Sequence, residues 1–238
     1  LLMMRPQLVS LACAILLVSL LTGSSSLAAI AAVTFAGAWL HFNFVWMPVL
    51  IFAVVALAAV AFERRILWRE GVAVLAGVLA GWLLRPQPLD ALRLLYLQLV
   101  RQTVEKWHGL PLLFGAENFP LSPRILFENF TPLMLLVIGA GACLLWWFFA
   151  RRPTEPMSQQ RFIASTGILT LLFFLVSILV ARRAYDFFAA FGILFVAAVY
   201  TEVIPRLQRA KQRSIATAAT AVIALAAIFL ISYSGYKT

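Results

Sequence analysis

Apolar residues dominate this chain in long runs, and these runs lack the strict alternation of apolar and polar positions that is typical of half-buried β-strands. A membrane-spanning helix needs about 20 predominantly apolar residues, whereas a transmembrane β-strand needs only about 10. Lipid offers no partners to backbone N–H and C=O groups, so a span must be a helix or part of a closed barrel. The run lengths therefore predict membrane-spanning helices.

The N-terminal part of the chain has no formal charge between Arg5 and Glu63. Polar breaks at 23–26 and 41–43 divide this stretch into three apolar segments, 6–22, 27–40 and 44–62. One helix over 27–62 would be about 54 Å long, which exceeds a hydrocarbon core of about 30 Å. The pattern therefore favours three crossings over two.

Further apolar runs predict five more spans, at 66–84, 131–150, 162–181, 184–204 and 214–233. The predicted fold is an all-α integral membrane protein with about eight transmembrane helices, four in 1–84 and four in 131–238. Within the fourth span, Ala73, Gly77 and Gly81 lie four residues apart. Small residues at this spacing predict a face for close contact with another helix.

The intervening segment, 85–130, is predicted to face outward and to carry an interfacial helix at 89–107. Charged residues fall on one side of this helix and leucines on the other, as in helices that lie on a membrane surface. Arg101 and Glu105 have the i,i+4 spacing of an ion pair. Prolines after this helix predict irregular chain up to residue 130.

Composition and charge support the prediction of a membrane protein. The chain is 63% hydrophobic and 12% charged, with a mean hydropathy of +0.97, whereas soluble domains have about 25% charged residues. The net charge is +10, and ten of the 19 Lys and Arg residues lie in three short loops, 63–70, 151–161 and 205–213. Basic loops mark the cytoplasmic face, so both termini are predicted outside. No basic stripe with interleaved aromatics lies outside the spans, so nucleic acid is not an expected partner.

The two cysteines, Cys13 and Cys143, lie inside apolar runs and are predicted to be packing residues. The chain contains no CxxC or HExxH motif, so no cofactor is identified from the residues. No pair of carboxylates has a spacing that identifies a general acid and base. Glycine-rich phosphate loops and serine nucleophile motifs are also absent from the sequence.

Arg182 and Arg183 occupy a short outward turn between two apolar runs. Guanidinium groups bind phosphate through paired hydrogen bonds, so adjacent arginines predict a site for a lipid phosphate at the membrane surface. The alternative is that both side chains only snorkel to the interface. Asp186, one turn into the next run, either forms a local ion pair or orients an arginine for a ligand.

Two further polar residues face outward in this topology. His41 lies at a helix end near Trp39 and is either a hydrogen-bonded interface residue or a ligand-binding or proton-transfer group. Glu117 lies in a turn-rich loop, where it is either solvated or binds a sugar hydroxyl. The residues alone leave both pairs of alternatives open.

The order of these features resembles the later half of bacterial GT-C-type membrane glycosyltransferases, which use polyprenyl-phosphate sugars. The resemblance covers roughly residues 1–200 and rests on the order of five pieces: Arg5-Pro6, Trp39-Leu40-His41, Gly77-x-x-x-Gly81-x-x-x-Arg85-Pro86, Gly115-Ala116-Glu117 and Arg182-Arg183-x-x-Asp186.

This resemblance implies a multi-pass protein of the bacterial inner membrane that transfers a sugar from a polyprenyl-phosphate donor at the outer face. Arginines or a divalent metal would stabilise the departing phosphate. The resemblance gives six candidate residues for binding substrate or lipid phosphate: His41, Arg85, Glu117, Arg182, Arg183 and Asp186.

One departure from the family pattern bears on activity. Such enzymes carry an acidic motif in their first outward loop, and nothing here matches it, so the catalytic base is expected upstream of these residues. Whether the chain itself is an enzyme is therefore left open. The alternatives are a transporter or permease fragment, a non-catalytic membrane scaffold, and another outward-facing enzyme of lipid-linked polymers. Charges cluster at span ends here, whereas transporters place them at mid-membrane depth.

Overall fold

The computed structural model describes residues 6–23, 26–42, 45–101, 104–105, 108, 120–150 and 159–209. All regular structure within these ranges is helical. The helices are α1 (Pro6–Thr22), α2 (Leu27–Leu40), α3 (Trp46–Glu63), α4 (Trp68–Leu83), α5 (Pro88–Tyr96), α6 (Pro123–Ala150), α7 (Gln160–Leu179) and α8 (Tyr185–Arg209). A π-helical turn, Leu97–Arg101, continues α5, and a 3-10 turn, Arg182–Ala184, precedes α8.

Within the described ranges, three helical segments are long and apolar enough to cross a membrane: α3, α7 and Arg182–Glu202. The pair α4 and α5 adds a fourth if the two count as one bent span. Helices α1 and α2 are apolar but shorter, as is Thr131–Leu145 within α6. The all-helical prediction is confirmed for the described residues. The count of eight crossings stays a prediction, and its last span, 214–233, lies outside them.

The chain forms two compact units, Leu1–Gly115 and Ala116–Thr238. In the first unit, α2 packs most extensively against α4, and α1 packs against α2 and α3. Val18, Ile30, Ile51 and Val55 are among the fully buried side chains of this unit. Because lipid tails are as apolar as these side chains, close packing rather than exclusion of water holds such helices together.

The contact between α2 and α4 depends on two glycines. A Cβ atom at Gly81 would lie only 2.7 Å from the carbonyl oxygen of Phe35. At Gly77, a Cβ atom would overlap the carbonyl oxygen of Ala31 and the hydroxyl of Thr34. These positions admit no side chain without separating the helices, so the predicted small-residue contact face is confirmed.

A sharp bend separates α4 from α5, whose axes differ in direction by 108°. Gln87 takes the left-handed conformation, with φ at 59°, and the indole N–H of Trp82 donates to the carbonyl of Pro88 at 2.8 Å. No residue of α5 is buried. A helix is thus present at 88–96, and a π-helical turn replaces regular α-helix from Leu97. Its placement on a membrane surface stays a prediction.

The second unit is built on contacts of α8 with α7 and α6. Aromatic rings connect α7 to α8: Phe173 stacks on Phe187 and Phe191, with ring centroids 5.2 Å and 5.7 Å apart. Phe174 packs on Phe188 at 5.3 Å. Such pairs contribute about 0.5–1.5 kcal/mol each beyond the burial of their area. The aromatic residues therefore fix how α7 and α8 lie against each other.

Helix α6 begins at Pro123, eight residues before the predicted span at 131. The Ser122 hydroxyl accepts the backbone N–H of Ile125 at 3.3 Å, as a helix N-cap does. Proline is favoured at the first helical position because its φ is already helical and it has no N–H to leave unpaired. The expectation of irregular chain up to residue 130 is therefore wrong for 123–130, where Ser122-Pro123 starts a helix.

Candidate functional site

The arginine turn, Arg182–Ala184, joins α7 to α8 as a single 3-10 turn. The backbone N–H of Ala184 donates to the carbonyl of Ala181 at 3.1 Å and closes it. Ala184 is buried, Arg182 is half-buried and Arg183 is exposed. A small buried residue thus anchors a turn that places two guanidinium groups at the junction of two helices apolar enough to cross a membrane.

The local sequence explains why the chain turns here. Helix α7 ends where the backbone N–H groups of Val180 and Ala181 both donate to the carbonyl of Val176, at 2.9 Å and 3.0 Å. Ala181 is extended, with φ at −153° and ψ at 127°, which stops the helix before the arginines. Asp186 is exposed in the first turn of α8, where the positive end of the helix dipole favours a carboxylate.

The chemistry of the arginine turn suits an anion. Adjacent guanidinium groups offer several N–H donors in planar forks, and carboxylate or phosphate oxygens accept them in pairs. The following backbone N–H groups at the start of α8 add a partial positive charge. The predicted tight turn between two apolar helices is confirmed, and binding of a phosphate there stays a prediction.

A second polar cluster lies at the C-terminal end of α2 in the first unit. His41 caps this helix through its backbone N–H, which donates to the carbonyl of Gly37 at 3.1 Å. Its ring Nδ1 lies 2.8 Å from the hydroxyl oxygen of Ser10, which is 6% exposed. His41 is therefore hydrogen-bonded at a helix end, and a ligand-binding or proton-transfer role for it stays a prediction.

Arg85 reaches the same helix end from the bend after α4. Its guanidinium donates to the carbonyl of Ala38 at 3.2 Å and to that of Trp39, and lies 5.6 Å from the ring centroid of Phe42. The indole of Trp39 in turn donates to the carbonyl of Leu84 at 3.4 Å. The last carbonyls of a helix lack intrahelical partners and carry partial negative charge, so a guanidinium stabilises them.

A cavity of about 20 Å³ adjoins the Ser10–His41 pair and is lined by Ser10, Cys13 and Thr34 among other residues. A cavity needs roughly 10–15 Å³ to hold a single water, so this cavity is too small for a sugar. The contact between Ser10 and His41 joins α1 to the end of α2.

On the predicted interfacial segment, the guanidinium Nε of Arg101 lies 2.6 Å from a carboxylate oxygen of Glu105. The hydrogen bond that Arg101 donates to Glu105, together with the negative charge of Glu105, raises the pKa of the Arg101 guanidinium above its ordinary value. Arginine is already protonated at neutral pH, so the pair keeps its positive partner throughout the physiological range. The predicted i,i+4 contact is confirmed.

Five of the six candidate residues lie within the described ranges, and they divide between the two units. His41 and Arg85 meet at the end of α2, whereas Arg182, Arg183 and Asp186 share the junction of α7 and α8. Glu117 lies outside the described residues. Sequence reasoning missed the capping bonds of Arg85 and the contact of His41 with Ser10, because each partner lies more than 30 residues away.

Among the described residues, no group of three or more His, Cys, Asp and Glu side chains is placed to hold a metal ion. Comparison of the chain with protein-family models, with curated proteins and with solved structures finds no match. The arginine turn, which places two adjacent guanidinium groups at a helix junction, is the candidate functional site.

Proposed function

We propose that this chain is part of a GT-C-type membrane glycosyltransferase that uses a polyprenyl-phosphate sugar at the outer face of the bacterial inner membrane. The observation that carries the proposal is the arginine turn, with two guanidinium groups between helices apolar enough to cross a membrane. A polyprenyl phosphate holds its anion at the membrane surface and its chain in the hydrocarbon core. The turn supplies cationic donors at that boundary.

In this reaction the bond between the sugar's anomeric carbon and the phosphate oxygen breaks, and an acceptor hydroxyl oxygen bonds to that carbon. Negative charge grows on the departing polyprenyl phosphate. Arg182 and Arg183 would stabilise this charge through hydrogen bonds aimed at the phosphate oxygens. The acceptor hydroxyl must lose its proton to a base, and we propose that an acidic residue elsewhere in the protein takes it.

A transporter is the second candidate, and the bend between α4 and α5 favours it. Broken helices form substrate sites in many transporters, where unwound backbone and helix ends contact the substrate. In this chain Arg85, at the bend, donates to the carbonyls of Ala38 and Trp39. The guanidinium of Arg85 is thus engaged with the protein's own backbone, which counts against a substrate site at the bend.

The test is binding of a polyprenyl phosphate to the purified protein in lipid nanodiscs, comparing the native chain with Arg182→Ala/Arg183→Ala. Hydrogen bonds to charged groups contribute about 1.5–3 kcal/mol each when desolvated, so loss of both predicts an affinity weaker by roughly a hundredfold or more. If the side chains only snorkel, the change falls to about 1 kcal/mol or less.

The matched control is Arg64→Ala/Arg65→Ala, which removes another adjacent arginine pair near a helix end, between α3 and α4. We expect this variant to bind as the native chain does. Equal affinity of the Arg182→Ala/Arg183→Ala variant and the native chain would reject the phosphate site. Glycosyl transfer by the isolated 238-residue chain would reject the proposal that the base lies elsewhere.

A further inference from the structure

An apolar groove of about 180 Å³ lies between α6, α7 and α8 in the second unit. Helix α6 contributes Met134, Val137 and Ile138, and α8 contributes Phe188. The residues from α7 are Gly167, Thr170, Leu171 and Phe174. Ile138 and Leu171 are 62% and 60% exposed, so the groove has open walls on α6 and α7.

The groove lining suits an apolar chain and offers little to a sugar. Seven of its eight lining residues have no polar side-chain group. The eighth, Thr170, already donates its hydroxyl to the carbonyl of Thr166 at 2.6 Å. A ligand rich in hydroxyls would find few hydrogen-bond partners here, and its loss of hydration would be uncompensated. A hydrocarbon chain needs none.

Glycine maintains the shape of the groove. A Cβ atom at Gly167 would lie 3.1 Å from the ring of Phe195, and one at Gly192 would lie 3.2 Å from Val137. These contacts bring α8 close to both α6 and α7. At both glycines a neighbouring side chain fills the space that a Cβ would take, and Phe174 and Phe188, which line the groove, pack on each other.

Apolar surface connects the groove to the arginine turn. Phe188 follows Arg183 by five residues, which is about 7.5 Å along a helix. Met134 and Phe174 line the groove and also pack around buried Leu121, in a cluster that includes Tyr185. Tyr185 directly follows the arginine turn. One apolar cluster therefore connects the groove to the residue that follows the arginine turn.

We propose that this groove holds a segment of the apolar chain of a lipid phosphate whose anion lies on Arg182 and Arg183. This inference rests on the phosphate site proposed above. Small-molecule sites enclose about 300–1,000 Å³, so a groove of about 180 Å³ accepts part of a chain and not a whole ligand. The remainder of the chain continues past Ile138 and Leu171 into the bilayer.

The test places a tryptophan side chain in the groove and measures the affinity of the protein for each ligand in lipid nanodiscs. Ile138→Trp narrows the groove from α6, and Leu171→Trp narrows it independently from α7. The matched control is Leu135→Trp, which alters a residue of similar exposure, 56%, on α6 outside the groove. The probes are a long-chain polyprenyl phosphate, phosphatidic acid and inorganic phosphate.

We expect Ile138→Trp and Leu171→Trp each to weaken the binding of polyprenyl phosphate by about fivefold. Within lipid, the affinity of the groove for the chain comes from fitted van der Waals contacts, which the added ring would disturb. Leu135→Trp should have no effect, and inorganic phosphate should bind all three variants equally. A similar loss with phosphatidic acid would extend the groove's ligands to acyl chains, whereas a loss with polyprenyl phosphate alone would assign it to isoprenoid chains.

Unchanged polyprenyl-phosphate affinity in both groove variants would overturn the inference. If Arg182→Ala/Arg183→Ala still weakened both polyprenyl phosphate and inorganic phosphate, the phosphate site would stand without the groove. If the arginine variant bound all probes normally, the proposed function itself would fail. The two failures therefore give different patterns across the same set of probes.

Discussion

The guanidinium of Arg85 donates a hydrogen bond to the backbone carbonyl of Trp39, which lies 46 residues earlier in the chain. A second bond reaches the carbonyl of Ala38 at 3.2 Å, so one side chain pairs with two carbonyls at the end of α2. Such carbonyls have no partner within their own helix. Arg85 therefore holds the end of α4 against the end of α2.

We expect Arg85→Ala to lower the free energy of unfolding by about 1–3 kcal/mol, since it removes charge-assisted bonds at a half-exposed position. Unfolding in mixed detergent micelles, followed by circular dichroism, measures the change. Arg93→Ala is the control, because Arg93 is exposed on α5, and it should cause no measurable change. A stable Arg85→Ala chain would show that the capping bonds contribute little.

The glycine face of α4 predicts a difference between two Gly→Ala substitutions. Gly77→Ala should destabilise the fold by about 1–3 kcal/mol, because its methyl group would overlap Ala31 and Thr34 of α2. Gly141→Ala on α6 meets no atom within 4 Å and should stabilise its helix by about 0.5–1 kcal/mol. The same unfolding measurement compares them, and equal effects would contradict the close contact of α2 with α4.

The contact of Ser10 with His41 predicts an energetic coupling between α1 and the end of α2. Ser10→Ala should cost about 0.5–1.5 kcal/mol, and the cost should largely vanish when His41 is already alanine. A double-mutant cycle on the free energy of unfolding provides the measurement. Ser19→Ala, at an exposed position of α1, is the control. Additive single effects would mean that the two side chains do not stabilise each other.

The predicted topology can be checked with cysteine labelling of intact cells. In a background with Cys13 and Cys143 replaced by alanine, a membrane-impermeant maleimide should label Ser122→Cys, which precedes α6 and is exposed. Ser158→Cys lies in a predicted cytoplasmic loop and should react only after the membrane is permeabilised. Labelling of Ser158→Cys from outside would reverse the assignment of faces.

Much of the helical layout could be predicted because its signals are local. The polar stretch at 23–26 separates α1 from α2 as expected, and the Ser26 hydroxyl accepts the N–H of Ala29 at 3.1 Å. Glycines four residues apart indicated a packing face before its partner was known. The arginine turn was also visible, because two charges interrupt a long apolar stretch.

Other features could not be predicted because they join distant parts of the chain. The partners of Arg85 and His41 lie on other helices, and no local pattern specifies them. The groove of the second unit likewise depends on how three helices meet around Gly167 and Gly192. The prediction of irregular chain at 123–130 was wrong for another reason: the capping signal of Ser122-Pro123 is local and was present in the sequence.

The bend after α4 has a mechanical consequence. Arg85 ties it to the end of α2, and Trp82 ties it to the first residue of α5, so the connection is braced on both sides. The axes of α4 and α5 are thereby held 108° apart. If α5 rests on the bilayer surface, this angle sets the tilt of α4 in the bilayer, and the close contact at Gly77 and Gly81 makes α2 follow the same tilt.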